Sequence, residues 1–284
     1  MNKRRFQKYQ PVGLSMEEMK SSHWQYSPNN SPQPLPKSPF VCTNTDLLPL
    51  DFNLTMREDI QIEDLKQKVI QARVGNSSLE DFMRLNLAPE MEERMPILLL
   101  GELANPFQLS RLKLGIIPVV CVRINGLSRT YADSLDDRMV RPGIHHVTLA
   151  RTLGWWEVTH LAFATLPQMK AMVTWLTNGK RGNWRGVKAN EGSIRVENQP
   201  QLRHPTAQSI SWDGKTEICT DEEPEVNGPS FDISDVMIPI HTNYGCYDSR
   251  GKIIRCVHVG QREFHHNYFR RGSSKRWQDI LDVV

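Results

Sequence analysis

Apolar positions crowd together between Ile97 and Thr177 and thin out on either side. Three runs carry most of them: Ile97–Leu100, Ile116–Ile124 and Trp155–Leu176. Ile116–Ile124 is β-branched and almost unbroken, the pattern of a strand buried on both faces. Pro118 has no amide donor, so it sets the start of that strand at an edge or bulge. Asn125–Gly126 predicts a turn. The polar stretch Leu127–Gly143, with Asp133, Asp136, Asp137, Arg138 and Arg141, reads as a loop with one helical turn. Ile144–Ala150 and Trp156–Phe163 predict two further strands around Leu153–Gly154. Pro167 opens a helix over Gln168–Thr177, which Asn178–Gly179 closes.

Before this centre the period lengthens. Asp59–Val74 places Ile62, Leu65, Val69 and Ile70 on one helical face, with Gly75 as C-cap. Ser77 or Ser78 caps a second helix through Leu85, with Glu80 and Asp81 in its first turn, where the helix dipole favours them. Pro89 ends it. The two form a helical hairpin packed on the strand-rich centre. After the centre come short strands at Ser193–Glu197, Gln208–Trp212 and Thr216–Cys219, the last two joined through Asp213–Gly214. Asp235–His241 predicts another, and Tyr244–Tyr247 and Lys252–Val259 form a hairpin across Asp248–Gly251. Ser274–Val284 reads as a capped helix with Trp277, Ile280, Leu281 and Val284 on one side.

There is no internal repeat and no βαβ alternation. The expected class is α+β: a β-rich, sandwich-like body with a short helical hairpin before it and a C-terminal helix. The expected organisation is a flexible basic and Pro/Ser-rich arm over 1–50, the hairpin over 51–95, the body over 96–265 and a basic tail with an amphipathic helix over 266–284.

Composition changes this picture only in places. Of the 284 residues 39% are hydrophobic, and the net charge is +3. The balance is ordinary; its distribution is not. The stretch Ser27–Phe40 is too rich in proline, serine and asparagine to build a core. Five cysteines, Cys42, Cys121, Cys219, Cys246 and Cys256, are too few and too scattered for a disulfide framework. An intracellular setting, cytoplasm or nucleus, is expected. The basic start, Met1–Phe6, has no apolar region behind it, and no run approaches the roughly 18 apolar residues of a spanning helix.

Candidate chemistry is sparse. Gly179–Lys180 lacks the rest of a P-loop, and the glycine-rich Gly179–Gly186 has no strand of the dinucleotide-binding kind before it. Cys246, Cys256, His258, His265 and His266 are thiolate and imidazole donors close in sequence, but without CxxC or HxxxH spacing. They leave the metal question open and support an alternative reading, a metal-dependent nuclease or hydrolase around His258, His265 and His266. No catalytic residue and no cofactor are assigned.

The charge pattern says more. Lys180, Arg181, Arg185 and Lys188 surround Trp184, and Arg255, Arg270, Arg271, Lys275 and Arg276 are interleaved with Phe264, Tyr268, Phe269 and Trp277. Cations neutralise phosphates and aromatic faces stack on bases, which suits single-stranded RNA; the same cations suit an anionic membrane surface. The expected function is a non-enzymatic nucleic-acid-binding or assembly protein, acting as a homo-oligomer. Pro32–Pro36 adds a polyproline segment through which an adaptor would meet a protein partner. The flexible basic arm, β-rich body and basic-aromatic end together resemble the organisation of small viral coat, matrix or movement proteins. The likeness is one of organisation, and it implies no role for any single residue.

Overall fold

The computed structural model describes residues 14–15, 38–135, 144–178, 182–199, 202–212, 217–242, 245–247, 251–269, 273–275 and 281–283. Its first half contains β1 (Leu14–Ser15), β2 (Phe40–Cys42), β3 (Asp46–Pro49), α1 (Ile62–Ile70), β4 (Arg73–Val74), β5 (Ser77–Ser78), α2 (Leu79–Leu85), β6 (Arg94–Leu99) and α3 (Pro106–Arg111). The long strands β7 (Ile117–Leu135) and β8 (His145–Thr165) come next, then α4 (Leu166–Thr177). The remainder is β9 (Trp184–Val187), β10 (Ser193–Val196), β11 (Ile210–Trp212), β12 (Glu217–Cys219), β13 (Ser230–Phe231), β14 (Ile238–His241), β15 (Gly245–Tyr247), α5 (Gln261–Glu263) running into a π-helical turn over Phe264–Tyr268, and β16 (Ser273–Lys275). The chain is therefore mixed α+β and rich in strand, as its pattern predicts.

β7 and β8 pair antiparallel and form the spine of the main sheet, whose order is β1-β3-β2-β7-β8-β12-β11 with β6 also on β8 and β10 also on β7. Successive side chains in a strand point to opposite faces, and this alternation sorts the apolar residues into two cores. Leu98, Val120, Val122, Ile124, Leu161 and Phe163 pack with Leu65 and Val69 of α1 and Leu79 and Met83 of α2. Ile97, Leu99, Ile117, Val119, Ala162 and Ala164 pack on the other face with Phe107 and Leu109 of α3 and Met169 and Met172 of α4. Burial on both faces explains why the sequence runs here lack a polar alternation.

The helices start and stop for local reasons. Ser78 accepts a hydrogen bond from the Asp81 amide at the start of α2, as expected of an N-cap. At α4, Thr165 and Gln168 form a reciprocal capping box, Pro167 sits in the first turn, and Asn178 takes the left-handed conformation at φ +43°. α1 stops earlier than the periodicity predicts. Arg73–Val74 instead pairs with Ser77–Ser78, and Gly75, at φ +61°, makes the turn between them.

Other expectations are corrected as well. Asn125–Gly126 is a β-bulge rather than a turn: the register slips between Asn125 and Leu127, and Gly126 takes φ +75°. Leu127–Leu135, expected as a loop, continues β7. Its polar groups have partners inside the fold: Arg129 pairs with Glu157 at 3.2 Å, Thr130 donates to the Ile254 carbonyl at 2.9 Å, and Ser128 meets Thr152 at 3.1 Å. Lys252–Val259 is not the hairpin partner of Tyr244–Tyr247. β15 pairs with β16 and touches β7 at Ala132, while Ile253 donates its amide to Glu217 and Cys256 its amide to the Arg129 carbonyl.

Ser274 and Lys275, placed in the C-terminal helix by the sequence pattern, thus lie in a strand. Residues 276–280 and 284 of that expected helix, and the Asp213–Gly214 turn, lie outside the described residues. Among the described residues no helix is long and apolar enough to cross a membrane.

Candidate functional site

α2 ends in a Schellman motif: the Ala88 amide reaches the Met83 carbonyl at 3.0 Å and the Leu87 amide the Arg84 carbonyl at 3.1 Å. The motif requires a left-handed residue at its turning point, and glycine or asparagine usually supplies it. Here Leu87 does, at φ +52°. Its side chain is 94% exposed, and Leu85, two residues before it, is 75% exposed. A leucine that is strained in its backbone and bare to water is unfavourable on both counts.

The two leucines stand at the mouth of an open groove of about 990 Å³. Its lining comes from Phe82 of α2, from Asp46 and Leu48 of β3 with the turn before it, and from Leu114 and Ile116. Among the described lining residues Asp46 is the one ionisable side chain. The β2–β3 wall is held in shape by its own hydrogen bonds, from the Asp46 amide to Thr43 Oγ1 at 2.8 Å and from the Gly115 amide to Asn44 Oδ1 at 2.7 Å. The groove is thus a preformed cleft, more apolar than polar, with one carboxylate among its described lining residues, and it suits large apolar side chains.

The basic residues singled out in the sequence fall in different places. Arg185 and Lys188 are exposed on and just after β9. Trp184, between the expected cations, is only 8% exposed and meets the rings of His146 and His241 edge-on, each at 5.1 Å. Arg255 is 3% exposed. Its guanidinium is ion-paired to Glu217, donates to Thr152 Oγ1 at 2.9 Å and lies 4.8 Å from the centre of the Trp155 ring. It is therefore turned into the core, away from any phosphate in solvent. Lys275 lies on β16. Lys180, Arg181, Arg270, Arg271 and Arg276 lie outside the described residues.

The histidine and cysteine candidates are dispersed among separate contacts. Cys256 packs with Tyr131, Val147 and Phe264. His258 hydrogen-bonds the Pro205 carbonyl at 2.9 Å and meets Trp155 edge-on. Burial, ahead of the neighbouring His204 and Arg255 charges, pushes the His258 imidazole below its usual range. His265 Nδ1 lies 3.0 Å from His145 Nε2, and His266 packs beside His265. Burial first, then the His265 and His146 charges, hold His145 down at about 3. Cys246 lies on β15. Among the described residues no group of three or more His, Cys, Asp and Glu side chains is placed to hold a metal ion.

Inside the body, carboxylates and guanidiniums are consumed by each other. Arg123 pairs with Glu197 at 2.7 Å with both side chains wholly buried, and Arg129–Glu157 and Arg255–Glu217 are buried pairs of the same kind. Such pairs hold the sheet in one arrangement and leave those carboxylates engaged as acceptors rather than facing a cleft.

Nothing in the hydrophobic pattern or the charge pattern points to the groove. Its one local signal is Asn86-Leu87-Ala88-Pro89, a helix end where a leucine occupies the position that favours glycine. Comparison of the chain with protein-family models, with curated proteins and with solved structures gave no match.

Proposed function

We propose that this is a non-enzymatic assembly protein that binds other chains through the leucine-rimmed groove between α2 and the β2–β3 turn, and polyanions through basic surface residues. The observation that carries the proposal is Leu87. Backbone strain of this kind persists where the surroundings enforce it, and it concentrates at functional positions. An exposed apolar rim beside a ready-made cleft is the usual form of a protein-docking surface. Burying Leu85 and Leu87 in a partner returns about 1.5–3 kcal/mol each, enough to matter for a weak self-association.

The test is sedimentation velocity on the full chain over a range of concentrations, beside a Leu85→Asp/Leu87→Asp variant. Concentration-dependent assembly that the double substitution abolishes is the expected result. A wild-type chain that stays monomeric throughout would remove the assembly reading. The polyanion part rests on the exposure of Arg185 and Lys188. It predicts an affinity for single-stranded RNA that falls steeply with salt, as counterion release requires; an affinity indifferent to salt refutes it.

A further inference from the structure

We propose that His145 and His265 form an acid-released latch, which holds the segment from Gln261 to Phe269 against the start of β8.

His145 is joined to that segment through both its backbone and its ring. Its amide donates to Gln261 Oε1 at 2.8 Å, and Gln261 Nε2 donates to its carbonyl at 3.0 Å. Its Nε2 lies 3.0 Å from His265 Nδ1. The π-helical turn makes the second contact possible. The Phe269 amide reaches back five residues to the Phe264 carbonyl at 2.9 Å, and turns of this kind recur at functional positions. Three rings of the segment then stand around His145: Phe269 at 4.4 Å, Phe264 at 4.6 Å and His265 at 5.3 Å between centres. Tyr131 of β7 completes the box, stacked on Phe264 at 4.3 Å. Inside it His145 is 1% exposed.

A neutral imidazole carries one N–H and one lone pair, so the two rings bond with one donating and the other accepting. One added proton keeps that bond, because an imidazolium still donates to the remaining lone pair. A second proton removes it. Both facing nitrogens then carry hydrogen, and two cations stand together in a box of aromatic rings. Among the described residues neither ring has a carboxylate partner.

The surroundings oppose that second proton. Burial first, then the charges of His265 and of His146 on the same strand, hold His145 down at about 3; the Ser134 carbonyl of β7 is the neighbour that favours its charged form. Tyr131, facing from β7, is kept neutral by burial, and Cys256 packs beside it. The Glu263 and Arg129 charges act on Tyr131, and Arg129 is also paired with Glu157. His266 adds a third imidazole beside His265. Below the ordinary 6.5 of a histidine and above about 3, the open latch therefore binds one proton more than the closed one. In that window acid favours opening by about tenfold per pH unit. Release bares the apolar cluster of Tyr131, Val147, Ile254 and Phe264.

Hydrogen exchange on the full chain, read by mass spectrometry at several pH values, tests the latch once each rate is divided by the intrinsic chemical rate at that pH. Peptides covering 261–269 should lose protection by about tenfold per pH unit between about pH 6 and pH 4, while those covering Val119–Ile124 of β7 keep theirs. Equal loss in both is ordinary acid unfolding and overturns the latch, as does unchanged protection over 261–269. Two variants assign the effect to the pair. His145→Gln keeps a polar group facing His265 but takes up no proton, so protection over 261–269 should become independent of pH. His265→Asn removes the opposing charge and leaves His145 buried, so loss of protection should begin at a lower pH than in wild type. A glutamine variant that still opens with acid, or an asparagine variant that opens at the wild-type pH, overturns the pairing. If the glutamine variant does not fold, the comparison of wild type with His265→Asn decides alone.

Discussion

Replacing Leu87 with glycine should make the protein more stable while weakening its assembly. The left-handed conformation costs an L-residue roughly 1–2 kcal/mol, which glycine escapes. Glycine loses about 0.4–1 kcal/mol of this through the extra freedom of the unfolded chain. The side chain removed is 94% exposed, so almost no packing goes with it. The net gain is about 0.5–1 kcal/mol, which with an m value of about 2 kcal/mol/M moves a urea midpoint upward by about 0.3–0.5 M. Leu87→Ala is the control. Alanine keeps the Cβ and the strain, so its unfolding free energy should stay within about 0.5 kcal/mol of wild type. Equilibrium urea unfolding followed by tryptophan fluorescence, at a concentration where the chain is monomeric, reads both. A glycine variant that is less stable than wild type, or an alanine variant that gains as much, would show that Leu87 is not strained in solution and would remove the main support for the groove.

The buried charges give two further outcomes. Glu157→Gln leaves Arg129 without its counter-charge in the core, and should cost about 3 kcal/mol in urea unfolding; a cost near zero would mean that Arg129 reaches water. His145, held at about 3 against an ordinary 6.5, is neutral when folded. The unfolded chain therefore takes up the proton first. The contribution is fully present above about pH 6.5 and shrinks by about 1.4 kcal/mol per pH unit as acid is added, down to the folded value. His145→Gln should flatten that part of the stability profile between about pH 6 and pH 4; a profile parallel to wild type would show that His145 takes up its proton as readily folded as unfolded.

Local chemistry was legible in the sequence wherever it was local in the fold. Ser78, Thr165 with Pro167, and Asn178 act within a turn of where they stand, and the nearly unbroken apolar run Ile116–Ile124 marks by itself a strand buried on both faces. Leu127–Leu135 was not legible because its charge is cancelled from elsewhere. Arg129 looks like a surface residue until Glu157 is brought beside it by the pairing of β7 with β8. Arg255 misleads in the same way: basic residues in a row do not disclose which of them finds a buried carboxylate. The groove was hidden for a third reason. Leu85 reads only as the last residue of the expected second helix, and it is the three-dimensional packing that decides that Leu85 and Leu87 face outward.

The buried ion pairs also set an order on how the chain acquires its structure during synthesis. Arg129 finds Glu157 as soon as β8 has been made, so the hairpin of β7 and β8 closes that pair by itself. Arg123 must wait for Glu197, and Arg255 arrives after Glu217. At about 5–20 residues per second the wait for Glu197 lasts some seconds. Until then, enclosing Arg123 would strand a bare cation in a dry interior, at a cost of several kcal/mol. The nascent sheet is thus kept from sealing its middle early, and a chain cut short before Glu197 should remain an open, protease-sensitive hairpin rather than a smaller domain.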